Sequence, residues 1–328
     1  MTLAAEQLGT HRPVQVTAGG AADAPALGDS HVVNLPDRTV RLFFLCGHPK
    51  SGTNWVGAVL NLHPAIVSRG EFRFEALRHA FDALERHWWH VAHDEPVKTE
   101  AERCFRETVA RLMLSAAGRF NPRAEWIGDR TPRPLAAYIP GAPQVYIVRD
   151  PRDVLVSWTH QELREGSPLS SAEPHKAKLA GVREAFRADP GLFHKHPEKL
   201  LSSEPWVRFL ARRMARHINA DLDLIDRARR GEIDMPLHVV RYELLHTDFE
   251  PERARLYRFF GLDPAQARPA SHDTKTLPGF EAEDATSFFR KGEPGDWRRY
   301  FTNDAKQWFR DEAAGLLSRL EYETSINW

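Results

Sequence analysis

Twice in this chain an apolar run breaks off at a charged or glycine-bearing turn and passes directly into a helix. Thr39 to Cys46 (TVRLFFLC) is rich in β-branched and aromatic residues and ends on Gly47-His48-Pro49. From Thr53 to Leu62 apolar residues then recur at helical spacing, stopping before His63-Pro64. Pro143 to Val148 (PQVYIV) repeats the pattern through Arg149-Asp150-Pro151-Arg152 into a helix from Asp153 to about Arg164. Runs that are apolar throughout, not alternating, belong to strands buried on both faces, as in parallel sheets. Pro236 to Tyr242 adds a short strand, and helices are expected at about 73–90, 99–117, 204–230, 251–260 and 304–320. The fold class predicted is α/β, a central parallel β-sheet flanked by helices.

A chain of 328 residues with 42% hydrophobic content can bury one large core. We expect a flexible leader at 1–37, poor in apolar periodicity, then a single domain over 38–328. Gly166 to Leu201 mixes Pro, Ser, His and Lys, so a lid or insertion is expected at about 165–201. Acidic and basic residues balance at 45 each, which argues against nucleic acid as a partner and makes any anion site local. Cys46 and Cys104 cannot build a disulfide framework, and no apolar run is long enough to span a bilayer. The location this predicts is the cytoplasm.

The loop Gly47-His48-Pro49-Lys50-Ser51-Gly52-Thr53-Asn54-Trp55 lies where a parallel strand feeds a helix, the place where free amides and the helix dipole bind phosphate. Small residues at 51–53 let the backbone wrap an anion, and Lys50 adds a full charge. The fragment is also compatible with an ordinary βα turn. It is not the kinase-type loop, because Lys50 precedes the glycine instead of following it. The string Pro-Lys-Ser-Gly-Thr-x-Trp resembles the 5′-phosphosulfate loop of sulfotransferases that use 3′-phosphoadenosine-5′-phosphosulfate (PAPS). That resemblance implies a P-loop-like sulfotransferase fold. It assigns Lys50 to the bridging oxygen and sulfuryl group and Trp55 to adenine, with Ser51, Gly52, Thr53 and Asn54 completing the loop. Asn54 replaces the second Thr common in cytosolic members and keeps a donor and an acceptor there.

Two later segments extend the resemblance. Arg149-Asp-Pro-Arg-Asp followed by Ser157, eight residues after Arg149, is similar to the family's 3′-phosphate motif. Taken alone it reads as a capped helix start, with Asp150 or Asp153 as the cap. Arg290-Lys291-Gly292-Glu-Pro-Gly-Asp296-Trp297 resembles the family's Arg-Lys-Gly-x-x-Gly-Asp-Trp signature. Arg290, Lys291 and the Gly292 amide would then join Arg149 and Ser157 around the 3′-phosphate. Arg241-Tyr242-Glu243 is similar to the segment whose Tyr approaches adenine. Neither a Walker A sequence nor a set of metal ligands is apparent, and the implied reaction needs no metal, since Lys and backbone amides can hold the charge of a sulfuryl group in transfer.

The acceptor proton needs a base. Cytosolic members use a His in Lys-Thr-His-Leu-Pro, but the corresponding stretch here is Gly128-Asp129-Arg130-Thr131-Pro132. The carbohydrate branch places a Glu after the first helix, and Glu71 in Gly70-Glu-Phe-Arg-Phe fits that pattern, 21 residues after Lys50, with Arg130 as counterpart of that branch's site Lys. Glu75 is the rival. Trp88 and Trp89 in the His87-Trp-Trp-His90-x-x-His93 run are read as core or as walls of an acceptor pocket, the imidazoles being too widely spread for a metal. Arg208, Arg212 and Arg216 form an i, i+4 stripe, either solvated or steering an anionic acceptor, and Cys46 reads as an inert core thiol. The acceptor stays open between a small molecule, a sugar and a natural product. A nucleotide kinase-like phosphoryl transferase and an inactive 3′,5′-ADP-binding module are the competing readings. The cytosolic dimerisation segment has no counterpart after Trp297, which leaves the oligomeric state unread.

Overall fold

The computed structural model describes residues 26–27, 31–87, 93–132, 139–164, 177–270, 292–325 and 328. Its sheet contains β1 (Ala26–Leu27), β2 (Val32–Asn34), β3 (Thr39–Gly47), β4 (Ile66–Ser68), β5 (Trp126–Arg130), β6 (Gln144–Val148) and β7 (Leu237–Arg241). Five strands run parallel in the order β4-β5-β3-β6-β7, and β1-β2 pairs antiparallel with the start of β3. β2 and β6 share one edge of β3: Thr39 to Arg41 pair with β2, and Phe44 to Gly47 with β6.

β3 is buried on both faces, as its unbroken apolar run requires. Leu42, Phe44 and Cys46 enter one half of the core with Val154, Trp206 and Phe309, while Phe43 and Leu45 enter the other with Val56, Tyr257 and Phe260. Helix α1 (Thr53–Leu60) covers the second half; α2 (Phe74–His87), α3 (Glu95–Gly118) and α4 (Pro151–Leu163) contribute to the first, with α5 (Ala180–Ala188) and α6 (Glu204–Arg229). Helix α7 (Phe249–Phe259) returns to the α1 side and α8 (Asn303–Arg319) packs along α6. After β3 the chain moves toward β4 and β5, and after β6 toward β7. The strand order therefore reverses between β3 and β6, and ligands of open α/β sheets bind in the crevice at such a switch point.

The expected strands and helices form within a few residues of their predicted bounds, with two departures. The short strands β4 and β5 are not apparent from composition, since one has three residues and the other ends in Gly-Asp-Arg. Within the span read as a leader, Val32–Asn34 and Ala26–Leu27 pair as a hairpin on β3. Of the expected insertion, residues 165–176 lie outside the described ones. The remainder packs as body: Leu179, Val182, Phe186, Phe193 and Leu200 are buried in the core. Their helical spacing is diluted by the Pro, His and Lys between them.

Gly128 shows how tightly β5 lies on β3, because a Cβ there would come within 2.2 Å of the Phe43 ring. Phe43 is fully buried and has no room to turn away. Gly128→Ala is expected to cost about 1–3 kcal/mol of stability through overpacking. Urea unfolding measures it, and an unchanged midpoint would mean that the two strands separate more readily than their packing indicates.

Candidate active site

Each parallel strand delivers its functional residues at the carboxyl edge. The loop after β3 holds Lys50, and Glu71 follows β4 by three residues. Arg130 closes β5, Arg149 follows β6 and Tyr242 follows β7. The register aligns these exits, pairing Leu45 with Arg130, Gly47 with Ile147 and Val148 with Arg241.

The 47–52 loop turns sharply. Gly47, Lys50 and Gly52 have φ of 151°, 73° and 107°, and for Lys50 the left-handed region costs of order 1–3 kcal/mol. Gly52 is the N-cap of α1 without a side-chain cap, so the first amides of the helix are left to the loop. A Cβ at Gly52 would lie 2.5 Å from the Tyr242 ring, so no other residue fits. Ser51 and Thr53 are buried, Asn54 is half-buried, and the Ser51 amide donates to the His48 carbonyl at 3.0 Å. Lys50 Nζ donates to Gln161 Oε1 at 3.3 Å. Gln161 stands one helical turn after Ser157 on α4, which places that face of the helix toward the loop.

Arg149 is 8% exposed and faces carbonyls and a ring where a carboxylate partner would be expected. It donates to Lys50 O at 3.3 Å and to Glu293 O at 3.4 Å, and its Cζ lies 4.2 Å from the Tyr242 centroid. Its Nε is buried and finds no hydrogen-bond partner among the described residues. A buried guanidinium held this way favours an anion beside it. The neighbouring Asp150 caps α4 by accepting from the Arg152 amide at 2.9 Å, so the capped helix start is present and leaves Arg149 outside it. Asp153 accepts from the Gly295 and Trp297 amides at 2.7 and 2.8 Å and so ties the 292–297 turn to α4. Burial raises its carboxyl to about 6, opposed by Arg149.

Tyr242 joins the three segments. Its hydroxyl donates to Gly292 O at 2.5 Å and its ring carries Arg149 and abuts Gly52. Trp55 meets it edge-on at 5.3 Å, with His246 at 4.6 Å and Phe249 parallel at 6.3 Å. His246 and Phe249 were not apparent from sequence, although they follow Tyr242 at helical steps of four and seven. Arg290 and Lys291 lie outside the described residues, directly before Gly292.

On the other side of Lys50, Asp129 organises the segment that bears Glu71. It accepts from the Phe72 amide at 3.2 Å and from the Thr131 hydroxyl at 2.6 Å, and Arg130 N donates to Gly70 O. Glu71 is exposed and acts electrostatically on both Asp129 and Arg130. The Arg130 side chain passes over Gly57 of α1, where a Cβ would lie 2.7 Å from its Cδ. Burial lowers the Arg130 pKa and Glu71 raises it. Glu75 is half-buried one turn further on, at the start of α2. His48 is buried against Trp158 at 5.1 Å, and burial pushes its pKa down to about 3, so it stays neutral.

Other sequence readings resolve simply. Cys46 lies on β3 with its thiol 3.5 Å from Gln144 Oε1, and burial pushes its pKa up. Arg208 and Arg212 pair with Asp311 and Glu312 of α8, so these two members of the stripe join helices. Of the His87 to His93 cluster, residues 88–92 lie outside the described residues.

Residues 43–266 match the model of the sulfotransferase family. The chain belongs to that family. The activity this membership assigns is PAPS-dependent sulfuryl transfer. This sulfotransferase is 26% identical to cytosolic sulfotransferase 17 of Arabidopsis thaliana over 279 residues, 79% of this chain and 69% of the relative. It is 23% identical to cytosolic sulfotransferase 16 of the same plant over 290 residues, 79% of this chain and 71% of the relative. Among solved structures, a mouse sulfotransferase complexed with PAP is similar at a TM-score of 0.44, with 19% identity and 86% of each chain covered. A sulfotransferase from Alicyclobacillus acidocaldarius is similar at 0.40, with 16% identity, covering 85% of this chain and 94% of that one.

The raised carboxyl of Asp129 makes stability pH-dependent. Burial lifts it to about 6, whereas an unfolded Asp titrates near 4. The native state therefore binds more protons between those values, and stability from this group falls as pH rises through that window. The stability advantage of wild type over Asp129→Asn is expected to shrink by roughly 2–3 kcal/mol from pH 4 to pH 7. Denaturant unfolding across that range gives the slope, and a flat difference would mean that Asp129 is ionised throughout.

Proposed function

We propose that this enzyme moves the sulfuryl group of PAPS onto a hydroxyl or amine of a small-molecule or sugar acceptor, with Glu71 as general base and Lys50 and Arg130 holding the transferring charge. The observation that carries this reading is the alignment of Glu71, Arg130 and Lys50 at the exits of the adjacent strands β4, β5 and β3. The donor supplies a singly charged sulfuryl group on a phosphate leaving group. Ser51, Gly52, Thr53 and Asn54 hold its 5′ side with loop and helix amides. Trp55 and Tyr242 flank the adenine, and Arg149, Ser157, Arg290, Lys291 and the Gly292 amide hold the 3′-phosphate. The fit is supported by the orphaned Nε of Arg149 and by the uncapped start of α1 at Gly52.

As the acceptor attacks sulfur, Glu71 takes its proton. Lys50 then holds the negative charge that grows on the bridging oxygen, and Arg130 steadies the sulfuryl oxygens. Glu71 is exposed and so placed to meet an entering acceptor, whereas Asp129 is occupied by the Phe72 amide and the Thr131 hydroxyl. A cytoplasmic setting suits this chemistry, and no helix among the described residues is long and apolar enough to cross a membrane.

Glu71→Gln is expected to lower transfer to a neutral alcohol or sugar by about 10²–10⁴ while 3′,5′-ADP still binds. The loss should shrink for a nitrophenol, which is largely ionised and brings no proton. A rate within a few-fold of wild type on the neutral acceptor would mean that the base lies elsewhere, with Glu75 or a histidine of the 87–93 cluster next to test. Lys50→Ala should cost about 10² or more on both acceptors, since the leaving oxygen is the same.

The 3′-phosphate assignment has its own test. 3′,5′-ADP should stabilise the enzyme by mass action, and 5′-AMP much less at equal concentration. Equal thermal shifts would remove Arg149 and Ser157 from phosphate binding.

A further inference from the structure

Arg152 and Trp297 meet behind the proposed 3′-phosphate clamp, and Trp328 closes on both. The Arg152 guanidinium is 2% exposed. It is held edge-on by Asp150, Nε to Oδ1 at 3.0 Å and Nη2 to Oδ2 at 2.8 Å, and on its far edge by Glu323. Its Cζ lies 3.9 Å from the Trp297 centroid and 4.6 Å from that of Trp328. The two indoles are perpendicular, 5.4 Å apart, the edge-to-face arrangement that aromatic pairs favour. Phe301 and Phe309 contact Trp328 edge-on at 6.0 Å each.

Trp297 is the last residue of the Arg290 to Trp297 segment. Its amide and that of Gly295 are bound to Asp153, Glu293 O accepts from Arg149, and Gly292 O accepts from Tyr242. The 292–297 turn is therefore fixed at its front by Arg149 and Tyr242 and at its rear by Asp153, Arg152 and Trp328. We infer that Trp328 is a positioning residue for the 3′-phosphate site: by bracing Arg152 and Trp297 it presets the 292–297 turn, whose Gly292 amide is proposed to meet that phosphate. The inference rests on the 3′-phosphate assignment above. Without the brace the 292–297 turn must be ordered when the nucleotide binds, and that ordering weakens affinity. Contacts to the 5′ side and the Trp55 face, made from α1 and the 47–55 loop, do not pass through Trp328, and the Tyr242 ring keeps its seat on Gly52 and Arg149 without it.

The test is calorimetric titration of wild type, Trp328→Ala and Trp328→Phe with 3′,5′-ADP and with 5′-AMP. Trp328→Ala should weaken 3′,5′-ADP by about tenfold, as expected for a turn that must be ordered on binding, and leave 5′-AMP within twofold. Trp328→Phe keeps an aromatic face on Arg152 and should recover most of the loss. In turnover, KM for PAPS should rise with kcat little changed. A general loosening of the fold would weaken both nucleotides alike, and that result would overturn the inference, as would an unchanged ratio in Trp328→Ala. If wild type itself fails to prefer 3′,5′-ADP, the 3′-phosphate assignment falls first; if wild type prefers it and the variant keeps the full preference, only the role of Trp328 falls.

Discussion

No side chain fits at residue 52. Its φ of 107° lies in the region that glycine alone adopts easily, and the Tyr242 ring occupies the space a Cβ would need. The β3–α1 loop can therefore settle directly on the exit of β7, reaching across β6, whose Ile147 is the next nearest atom. From that contact the Tyr242 ring carries the Arg149 guanidinium and its hydroxyl reaches Gly292. Four chain segments far apart in sequence are gathered at one phenol, and the groups proposed to bind the nucleotide's phosphates meet there as a result.

Two arginines three residues apart show how the surroundings divide labour between like charges. Arg152 is buried among the core residues, and Asp150 and Glu323 pair with it. Arg149 is buried nearly as well, yet among the described residues its contacts are two carbonyls and a π face, with Asp153 acting on it electrostatically. The first is a structural cation and the second is suited to a bound anion. The Asp-Pro-Arg-Asp order produces this split because Asp150, as cap, turns its carboxylate along the first turn of α4 toward Arg152, leaving Arg149 outside the helix.

The family and the turns proposed to hold the nucleotide were legible in the sequence because strand-to-helix turns announce themselves by composition and because the strings around Lys50, Arg149 and Gly292 are long. The long helices were legible for the same kind of reason, a period sustained over several turns. β4 and β5 were not, being too short for any period, and with them went the packing of Gly128 on Phe43 and of Arg130 over Gly57 of α1. Gln161, Asp153 and Trp328 carry no local signal of their roles. Each matters through a partner more than 30 residues away, and such meetings are decided by sheet register and helix packing, which a single sequence does not display.

The hairpin of β1 and β2 has a bearing beyond architecture. Up to Phe44 the edge of β3 is not reached by β6, and its backbone donors and acceptors there are met by Val32 to Asn34 and by the His31 carbonyl, which accepts from Leu42. Those β3 residues include Val40 and Leu42, both fully buried. A chain trimmed back to Asp37 would keep every group proposed for sulfuryl transfer, yet it would present an apolar strand edge able to pair with another molecule. The residues before the first nucleotide loop thus protect solubility, and the shortest chain competent for chemistry is not the shortest one that would remain dispersed.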